Sequence, residues 1–237
     1  MFQTAQYTDI GGREHNEDSV SQCAAGGGLC LVLADGLGGH GGGERASAEV
    51  CRTVTEGFSG RVSPAILTEL LQNAHKSILA MQTPQCSMKS TAVVLAIAKG
   101  RAAWAHAGDS RLYHFVNGKL TFQTRDHSAS QIAVMLGDIT PDQIRFHEDR
   151  SRVLRALGQE GALKVDAQEE PLTPGKHAYL VCSDGFWEYV LEDEMEQDLC
   201  RAADPEDWLT RMRARLAKRI GADNDNNTAA AVWLTQK

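Results

Sequence analysis

The stretch Leu29–Gly39 reads LCLVLADGLGG and joins a continuous apolar run to an Asp-Gly step. Six apolar residues in a row, bounded by glycines, predict a strand at Leu29–Ala34. The glycines at Gly26–Gly28 predict a turn from an earlier strand at Val20–Cys23. The stretch therefore predicts a hairpin whose second strand ends at Asp35-Gly36.

Downstream of this hairpin, helices and hairpins are predicted by local signals. A helix begins at Ser63-Pro64, an N-cap residue followed by proline at the first helical position. Hairpins are predicted across Lys99-Gly100 and, by the strongest turn signal, Asn117-Gly118. The predicted helices are Gly43–Phe58, Ser63–Gln82, Glu192–Cys200 and Pro205–Ile220; the remaining strands are Thr91–Ala98, Ala102–Ala107, Leu112–Val116, Lys119–Gln123, Lys164–Glu169, Ala178–Cys182 and Thr228–Leu234. Paired strands and paired helices favour a mostly antiparallel α+β layered domain over an alternating βαβ fold.

Length and composition predict one soluble domain that spans residues 1–237. No apolar run reaches the ~20 residues that cross a bilayer, and no secretory signal is evident, so we expect a cytoplasmic protein without a membrane partner. The net charge of -7, from 31 acidic and 24 basic residues, argues against nucleic-acid binding. The six cysteines are scattered, which predicts reduced thiols rather than zinc sites or disulfides. Nothing in the sequence requires an oligomer, and we expect a monomer.

Acidic residues recur at the predicted strand ends, beside glycine or asparagine. The five segments are Asn16-Glu17-Asp18, Asp35-Gly36, Gly108-Asp109-Ser110-Arg111, Ser183-Asp184-Gly185 and Asp223-Asn224-Asp225-Asn226. Any single Asp-Gly step is more often a turn. Five such segments in order instead indicate carboxylates that converge on hard cations, Mn²⁺ or Mg²⁺, because histidine and cysteine ligands for zinc are absent from these positions.

Taken in order, the acidic segments resemble the motifs of a known enzyme family. The motifs are Arg13-Glu14-His15-Asn16-Glu17-Asp18, Asp35-Gly36-Leu37-Gly38-Gly39, Gly108-Asp109-Ser110-Arg111, Cys182-Ser183-Asp184-Gly185 and Asp225-Asn226-Asn227-Thr228. They resemble the sequential motifs of the metal-dependent protein phosphatases, the protein phosphatase 2C family, in its compact bacterial form. The resemblance implies a four-layer αββα sandwich, with two antiparallel β-sheets flanked by helix pairs. It also implies a serine/threonine phosphoprotein phosphatase in bacterial signalling, which acts on phosphorylated proteins and opposes a Ser/Thr kinase.

The resemblance further implies two or three Mn²⁺ or Mg²⁺ ions and a set of ligands. Asp35 would bridge two ions, with the carbonyl oxygen of Gly36 on the second. Asp184 and Asp225 would bind the first ion. Asp109 would form a third, weaker site together with Asp184. The choice between the two metals stays open, since both suit an all-oxygen site.

Three more residues take roles by the same resemblance. Glu17 and Asp18 would hold metal-bound waters. Arg13 would grip the substrate phosphate, which suits a guanidinium because it binds two phosphate oxygens at once; a plain surface arginine is the alternative. A water that bridges two cations would supply the hydroxide that attacks phosphorus in line, without a phospho-enzyme.

Two positions depart from the family pattern. Leu37 occupies the place where some members carry a histidine that protonates the leaving group, so His40 or a metal-bound water remains as the acid. The Asp223-Asn224-Asp225-Asn226 segment offers two registers for the last ligand, and Asp225 fits because Thr228 then takes the family position.

A broken helical segment at about 126–157 corresponds to the flap of the family beside the active site. Gly137 and Pro141 are candidate hinges, and flaps of this kind move and influence substrate choice. Asp126 and Asp138 could reach a third metal there, although we expect exposed loop carboxylates at both positions.

Two other functions are compatible with the same fold. A phosphoprotein-binding module would have lost metal ligands, and none of the expected aspartates is missing. A different metallohydrolase, such as a small-molecule phosphatase or a nuclease, is the second alternative. The sequence gives no signal of the basic groove that a nuclease needs, which argues against the nuclease.

Overall fold

The computed structural model describes residues 2–38 and 42–237. Within these ranges the strands are β1 Gln3–Asp9, β2 Asp18–Ala25, β3 Gly28–Leu37, β4 Lys89–Ser90, β5 Ala92–Ala98, β6 Arg101–Ala107, β7 Arg111–Val116, β8 Lys119–Gln123, β9 Asp166–Pro171, β10 Gly175–Cys182 and β11 Asn227–Gln236. The helices are α1 Gly42–Gly57, α2 Pro64–Met81, α3 Ala129–Leu136, α4 Asp184–Trp187, α5 Glu192–Arg201 and α6 Pro205–Leu216, with a 3-10 helix at Pro141–Phe146.

The strands form two antiparallel sheets. The five-stranded sheet has the order β1-β11-β10-β7-β8, and the six-stranded sheet has the order β2-β3-β5-β6-β9, with β4 on β3. The hairpin predicted from Leu29–Gly39 is present: β2 and β3 pair around Gly26 and Gly27, which both have positive φ. That conformation costs glycine little and closes a two-residue turn.

Three apolar layers hold the four-layer sandwich together. On β3, Leu31 and Leu33 face the other sheet, whereas Cys30 and Val32 face the helices. Both sides are buried because helices α1 and α2 cover the outer face of this sheet. Helices α4 to α6 cover the other sheet in the same way. Each fully buried aliphatic side chain contributes about 1.5–3 kcal/mol to the free energy of folding. The predicted αββα architecture is confirmed.

Some predicted boundaries were wrong. Strand β1 was missed because it lies at the edge of its sheet, so that only Ala5 along it is buried and the apolar signal is weak. The predicted strand Lys164–Glu169 begins and ends two residues later, as β9. No helix in the described part of the chain is long and apolar enough to cross a membrane.

The flap lies between β8 and β9 and carries two short helices. The hydroxyl oxygen of Ser128 accepts a hydrogen bond from the backbone N–H of Gln131 at 3.3 Å, which caps α3. Gly137 ends α3 in the left-handed conformation, with φ of 82°. The flap also carries most of the large apolar side chains that are exposed in the described residues, Ile132, Met135, Leu136, Phe146 and Leu154.

Candidate metal centre

The carboxylates predicted as ligands converge where the ends of the two sheets meet. Burial raises the pKa of Asp35 well above its ordinary value, and the charges of Asp18, Asp184, Asp109 and Asp225 raise it further. These residues come from both sheets and from distant parts of the chain. The structure therefore brings together the five aspartates that the motifs predicted.

Asp18 and Asp35 lie opposite each other at the end of the β2–β3 ladder. The backbone N–H of Asp35 donates to the hydroxyl of Thr91 at 3.0 Å, and the carbonyl oxygen of Asp35 accepts from the N–H of Thr91 at 2.8 Å. The Ser90 hydroxyl donates to the same carbonyl at 3.0 Å. These bonds fix the main chain of Asp35 and leave its carboxylate free for other contacts.

Asp18 is buried and is held by the other sheet. It accepts a hydrogen bond of 2.7 Å from the hydroxyl of Ser183, which in turn accepts one of 3.0 Å from the N–H of Thr228. Burial raises the pKa of Asp18 to about 6, although hydrogen bonds from Ser183 and Thr228 oppose the rise. Because Ser183 directly precedes Asp184, this link sets the position of one predicted ligand against another.

Asp109 is the most exceptional carboxylate of the group. Its side chain is buried, and neither of its oxygens has a hydrogen-bond partner. Burial raises its pKa to about 7 and the charge of Asp126 adds to the rise, whereas the nearby backbone N–H of Asp109 itself and the charge of Arg111 oppose it. Its carbonyl oxygen, by contrast, accepts a 2.9 Å bond from the indole N–H of Trp187. A buried carboxylate without donors is unfavourable unless a cation joins it.

Asp184 and Asp225 come from adjacent strand ends. Asp184 is the first residue of α4, and burial, followed by the charges of Asp109 and Glu188, raises its pKa well above the ordinary value. Asp225 is half-exposed and accepts from the N–H of Asn226 at 2.8 Å. Gly185 packs so closely on this segment that an added Cβ would lie 2.1 Å from the carbonyl oxygen of Asn226, the residue after Asp225. Asp223 is exposed, which favours Asp225 as the predicted ligand.

Arg13 is exposed and lies beside Asp225. Its guanidinium is 2.9 Å from the Asp225 carboxylate, across 212 positions of sequence. The predicted phosphate-binding residue thus stands at the rim of the carboxylate group. An exposed ion pair of this kind contributes about 0–1 kcal/mol, so Arg13 can exchange one anion for another at little cost.

Glu17 and Gly36 pack against the start of α1. The Glu17 carboxylate accepts a hydrogen bond from the backbone of Gly43, which opposes the rise in pKa that burial causes. The N–H of Gly36 donates to the carbonyl of Glu17 at 3.0 Å. A Cβ on Gly36 would lie 2.2 Å from the carbonyl oxygen of Gly43, so this position admits only glycine.

The donor set fits hard divalent cations. Within residues 2–38 and 42–237, no three His, Cys, Asp or Glu side chains stand close enough to hold an ion by themselves. Mg²⁺ and Mn²⁺ keep several waters and use few protein carboxylates each. A group of carboxylates that are near one another but not in direct contact therefore suits these ions, because waters can fill the remaining ligand positions. The unpartnered oxygens of Asp109 are the sharpest evidence for this fit.

Several residues that support the site had no assigned role in the sequence. Asn226 accepts from the N–H of Glu17 at 2.8 Å and donates to the carbonyl oxygens of Ile10 and His15. Glu188 follows Asp184 by one helical turn and pairs with Arg150 of the flap at 3.0 Å. Asn226 was visible as a motif member, whereas no local signal marks the Glu188–Arg150 contact.

The expectation that Asp126 is an exposed loop carboxylate was wrong. Asp126 is buried and accepts two hydrogen bonds from Arg111, at 2.8 and 2.7 Å. The partner is 15 positions away, and the pair becomes visible only when β7 and the start of the flap meet. Asp138 is exposed, as expected. Leu37 lies at the end of β3, and His40 lies outside the described residues.

Comparison with known proteins agrees with this geometry. The family profile of protein phosphatase 2C matches residues 6–225. The serine/threonine phosphatase stp of Listeria welshimeri is 30% identical over 205 residues, which cover 79% of this chain and 78% of that protein.

Solved structures agree as well. The serine/threonine phosphatase PstP/Ppp of Mycobacterium tuberculosis is 32% identical, with a TM-score of 0.86 over 99% of both chains. A structure of the PstP catalytic domain in complex with two manganese ions is 28% identical, with a TM-score of 0.85 over 99% of both chains. The resemblance in the motifs is confirmed, and with it the expectation of a phosphatase fold and enzyme class. The chain belongs to the protein phosphatase 2C family.

Proposed function

We propose that this protein is a metal-dependent phosphatase of phosphoserine and phosphothreonine in proteins. The observation that carries the proposal is the convergence of five aspartates, among them the buried and unpartnered Asp109. Such a cluster is unfavourable without cations and is well suited to bind them. The manganese complex of the PstP domain supports Mn²⁺ or Mg²⁺ as the ions.

The carboxylates of the cluster take different metal-binding roles according to their positions. Asp35, Asp184 and Asp225, with the Gly36 carbonyl, would hold two ions, and Asp109 would hold a third together with Asp184. Two cations held there would lower the pKa of a bound water to near neutral and would offset charge on the phosphoryl group.

The remaining predicted residues orient water and substrate. Glu17 and Asp18 would order waters between the ions and the protein, since both carboxylates are anchored by donors from neighbouring elements. Arg13 stands on the rim beside Asp225, where its guanidinium can exchange that carboxylate for two oxygens of a substrate phosphate.

The wider setting is part of the same proposal. Residues 1–237 form one catalytic domain, a monomer that acts in the cytoplasm on phosphorylated proteins, including a Ser/Thr kinase or its targets. The apolar side chains exposed on the flap support a polypeptide substrate rather than a small phosphomonoester, because they give a chain that enters the site an apolar surface to cover.

The test is release of phosphate from a phosphothreonine peptide in Mn²⁺, with Asp225→Asn compared with Asp223→Asn. These aspartates are two positions apart, but the proposal assigns only Asp225 to the metal centre. We expect Asp225→Asn to lower kcat/KM by at least about 100-fold and Asp223→Asn by less than about twofold.

Three outcomes would contradict the proposal. Equal loss in the two variants would show that the cluster is not the catalytic centre. Peptide binding without phosphate release in Mn²⁺ or Mg²⁺ would favour a binding module. Turnover of a small aryl phosphate but not of phosphopeptides would favour a small-molecule phosphatase.

A further inference from the structure

Two cysteines face each other across the β2–β3 hairpin, away from the metal centre. Cys23 and Cys30 are direct partners in the ladder, five residue pairs from Asp18 and Asp35. Both side chains point toward the helix layer, where Cys30 is part of the core and Cys23 packs against it. Their proximity is therefore set by the strand pairing and not by chance contact of loops.

The backbone at this pair suits a disulfide. Counted from Ala25–Gly28, the pair that closes the two-residue turn, Cys23–Cys30 is a hydrogen-bonded pair of the ladder. The Cα atoms of such a pair are about 5.5 Å apart, within the range of roughly 4.4–6.8 Å found in disulfides. Cβ atoms of opposed residues are about 4.5–5.5 Å apart, against about 3.8 Å in disulfides, so they would have to approach by roughly 1 Å, and the resulting strain makes the bond readily reducible.

The two thiols have different surroundings. Cys23 is half-buried and donates to the carbonyl of Thr55 at 3.5 Å, whereas Cys30 is fully buried. The Cys30 thiol beside Cys23 lowers the pKa of Cys23, and the same contact raises the pKa of Cys30. Cys23 is thus the accessible nucleophile, and Cys30 is the resolving thiol.

We propose that Cys23 and Cys30 form a reversible dithiol–disulfide site for hydroperoxides. The Cys23 thiolate attacks the peroxide oxygen, which breaks the O–O bond and gives a sulfenic acid and an alcohol or water. The Cys30 sulfur then attacks the Cys23 sulfur, forms the S–S bond and releases hydroxide, which takes up the Cys30 proton as water. Two thiols lose two electrons and the peroxide gains two, and Cys23 is spared irreversible oxidation.

Peptide mapping of the metal-loaded protein after hydrogen peroxide treatment tests this site. Trypsin leaves Cys23 and Cys30 together on peptide 14–45, which has no internal Lys or Arg, and leaves Cys51 on peptide 46–52. We expect peptide 14–45 to lose about 2 Da and to resist alkylation until dithiothreitol is added. A cross-link between the two peptides would instead show that Cys51 pairs with Cys23 or Cys30 and would overturn the assignment.

Two variants sharpen the result. In Cys30→Ser the resolving thiol is gone, so the sulfinic form of Cys23 should rise at least about tenfold over wild type. Cys200→Ser removes an exposed thiol and should leave the product at Cys23–Cys30 unchanged. The proposal fails if wild type and Cys30→Ser accumulate equal sulfinic acid at Cys23, or if both thiols of peptide 14–45 remain alkylatable while Cys200 is oxidised.

Discussion

Replacing Asp109 by asparagine is expected to stabilise the metal-free protein, and to do so more strongly at pH 8 than at pH 5. Asp109 is 1% exposed, and neither carboxylate oxygen has a donor. Burial, with the charge of Asp126, raises its pKa from 3.8 to about 7. The folded state therefore binds the Asp109 proton more tightly than the unfolded state, and stability falls as the pH rises from about 4 to about 7.

The magnitude follows from the two pKa values of Asp109. With 3.8 in the unfolded state and about 7 in the folded state, ionisation costs roughly 2 kcal/mol at pH 5 and roughly 4 kcal/mol at pH 8. Asparagine removes this cost but leaves a buried amide without partners, which costs about 1–3 kcal/mol at either pH. The amide term cancels between the two pH values, so the gain should grow by roughly 2–3 kcal/mol from pH 5 to pH 8.

Urea unfolding in EDTA at both pH values measures this difference, with Asp138→Asn as the control on an exposed aspartate. The control should change the unfolding free energy by less than about 0.5 kcal/mol at either pH. In Mn²⁺ the order should reverse, because wild type gains binding free energy that the variant lacks. A gain in Asp109→Asn that is independent of pH would refute the reasoning.

Three further changes probe the site. Gly36→Ala would place a Cβ 2.2 Å from the Gly43 carbonyl oxygen, so we expect at least about 100-fold loss of phosphate release or failure to fold, read by circular dichroism; near-normal activity would contradict this packing. Arg13→Ala should raise KM about tenfold and lower stability by less than about 1 kcal/mol, since its ion pair is exposed; an unchanged KM would remove its assigned role. Ser183→Ala strips a 2.7 Å donor from the buried Asp18 and should cost about 1–3 kcal/mol in urea unfolding, with weaker Mn²⁺ activation; an unchanged midpoint would argue against that bond.

Much of the fold could be predicted because its signals are local. The hairpin turn at Asn117-Gly118 follows from residues that accept positive φ, and the start of α2 follows from Ser63 and Pro64. The missed strand β1 shows the limit of such signals. Its backbone pairs with β11 more than 200 positions away, and its exposed side chains carry no apolar alternation strong enough to reveal it.

The carboxylates of the site could be predicted as a set, but their surroundings could not. The order of the motifs predicted Asp35, Asp184 and Asp225 together, and in the structure Asp35 lies near the end of β3, Asp184 follows β10 and Asp225 precedes β11. The hydrogen-bond donors that hold the carboxylates of the site come from distant parts of the chain. The hydroxyl of Ser183, for example, donates to Asp18 over 165 positions. The Arg13–Asp225 pair likewise joins residues that are 212 positions apart. Spacing along the sequence carries no information about contacts of that range.

The contrast between Asp109 and Asp126 shows what the structure adds to the motifs. Both aspartates are buried beside Arg111 in sequence or in space. Arg111 gives two hydrogen bonds to Asp126, at 2.8 and 2.7 Å, and a third to the hydroxyl of Tyr113 at 3.2 Å, and it stacks 3.4 Å from the Trp187 ring. Asp126 is thus neutralised by the protein, whereas Asp109 has only its carbonyl held, by the indole of Trp187.

This difference separates a carboxylate that the protein satisfies from one that is open to a cation. A buried ion pair with matched hydrogen bonds needs no further cation, and removing one partner would be strongly destabilising. A buried carboxylate without donors keeps its full demand for positive charge, which a divalent ion can meet. The arginine that satisfies Asp126 donates no hydrogen bond to Asp109, so the Asp109 carboxylate stays open to a cation next to Asp184, at the cost of stability in the metal-free protein.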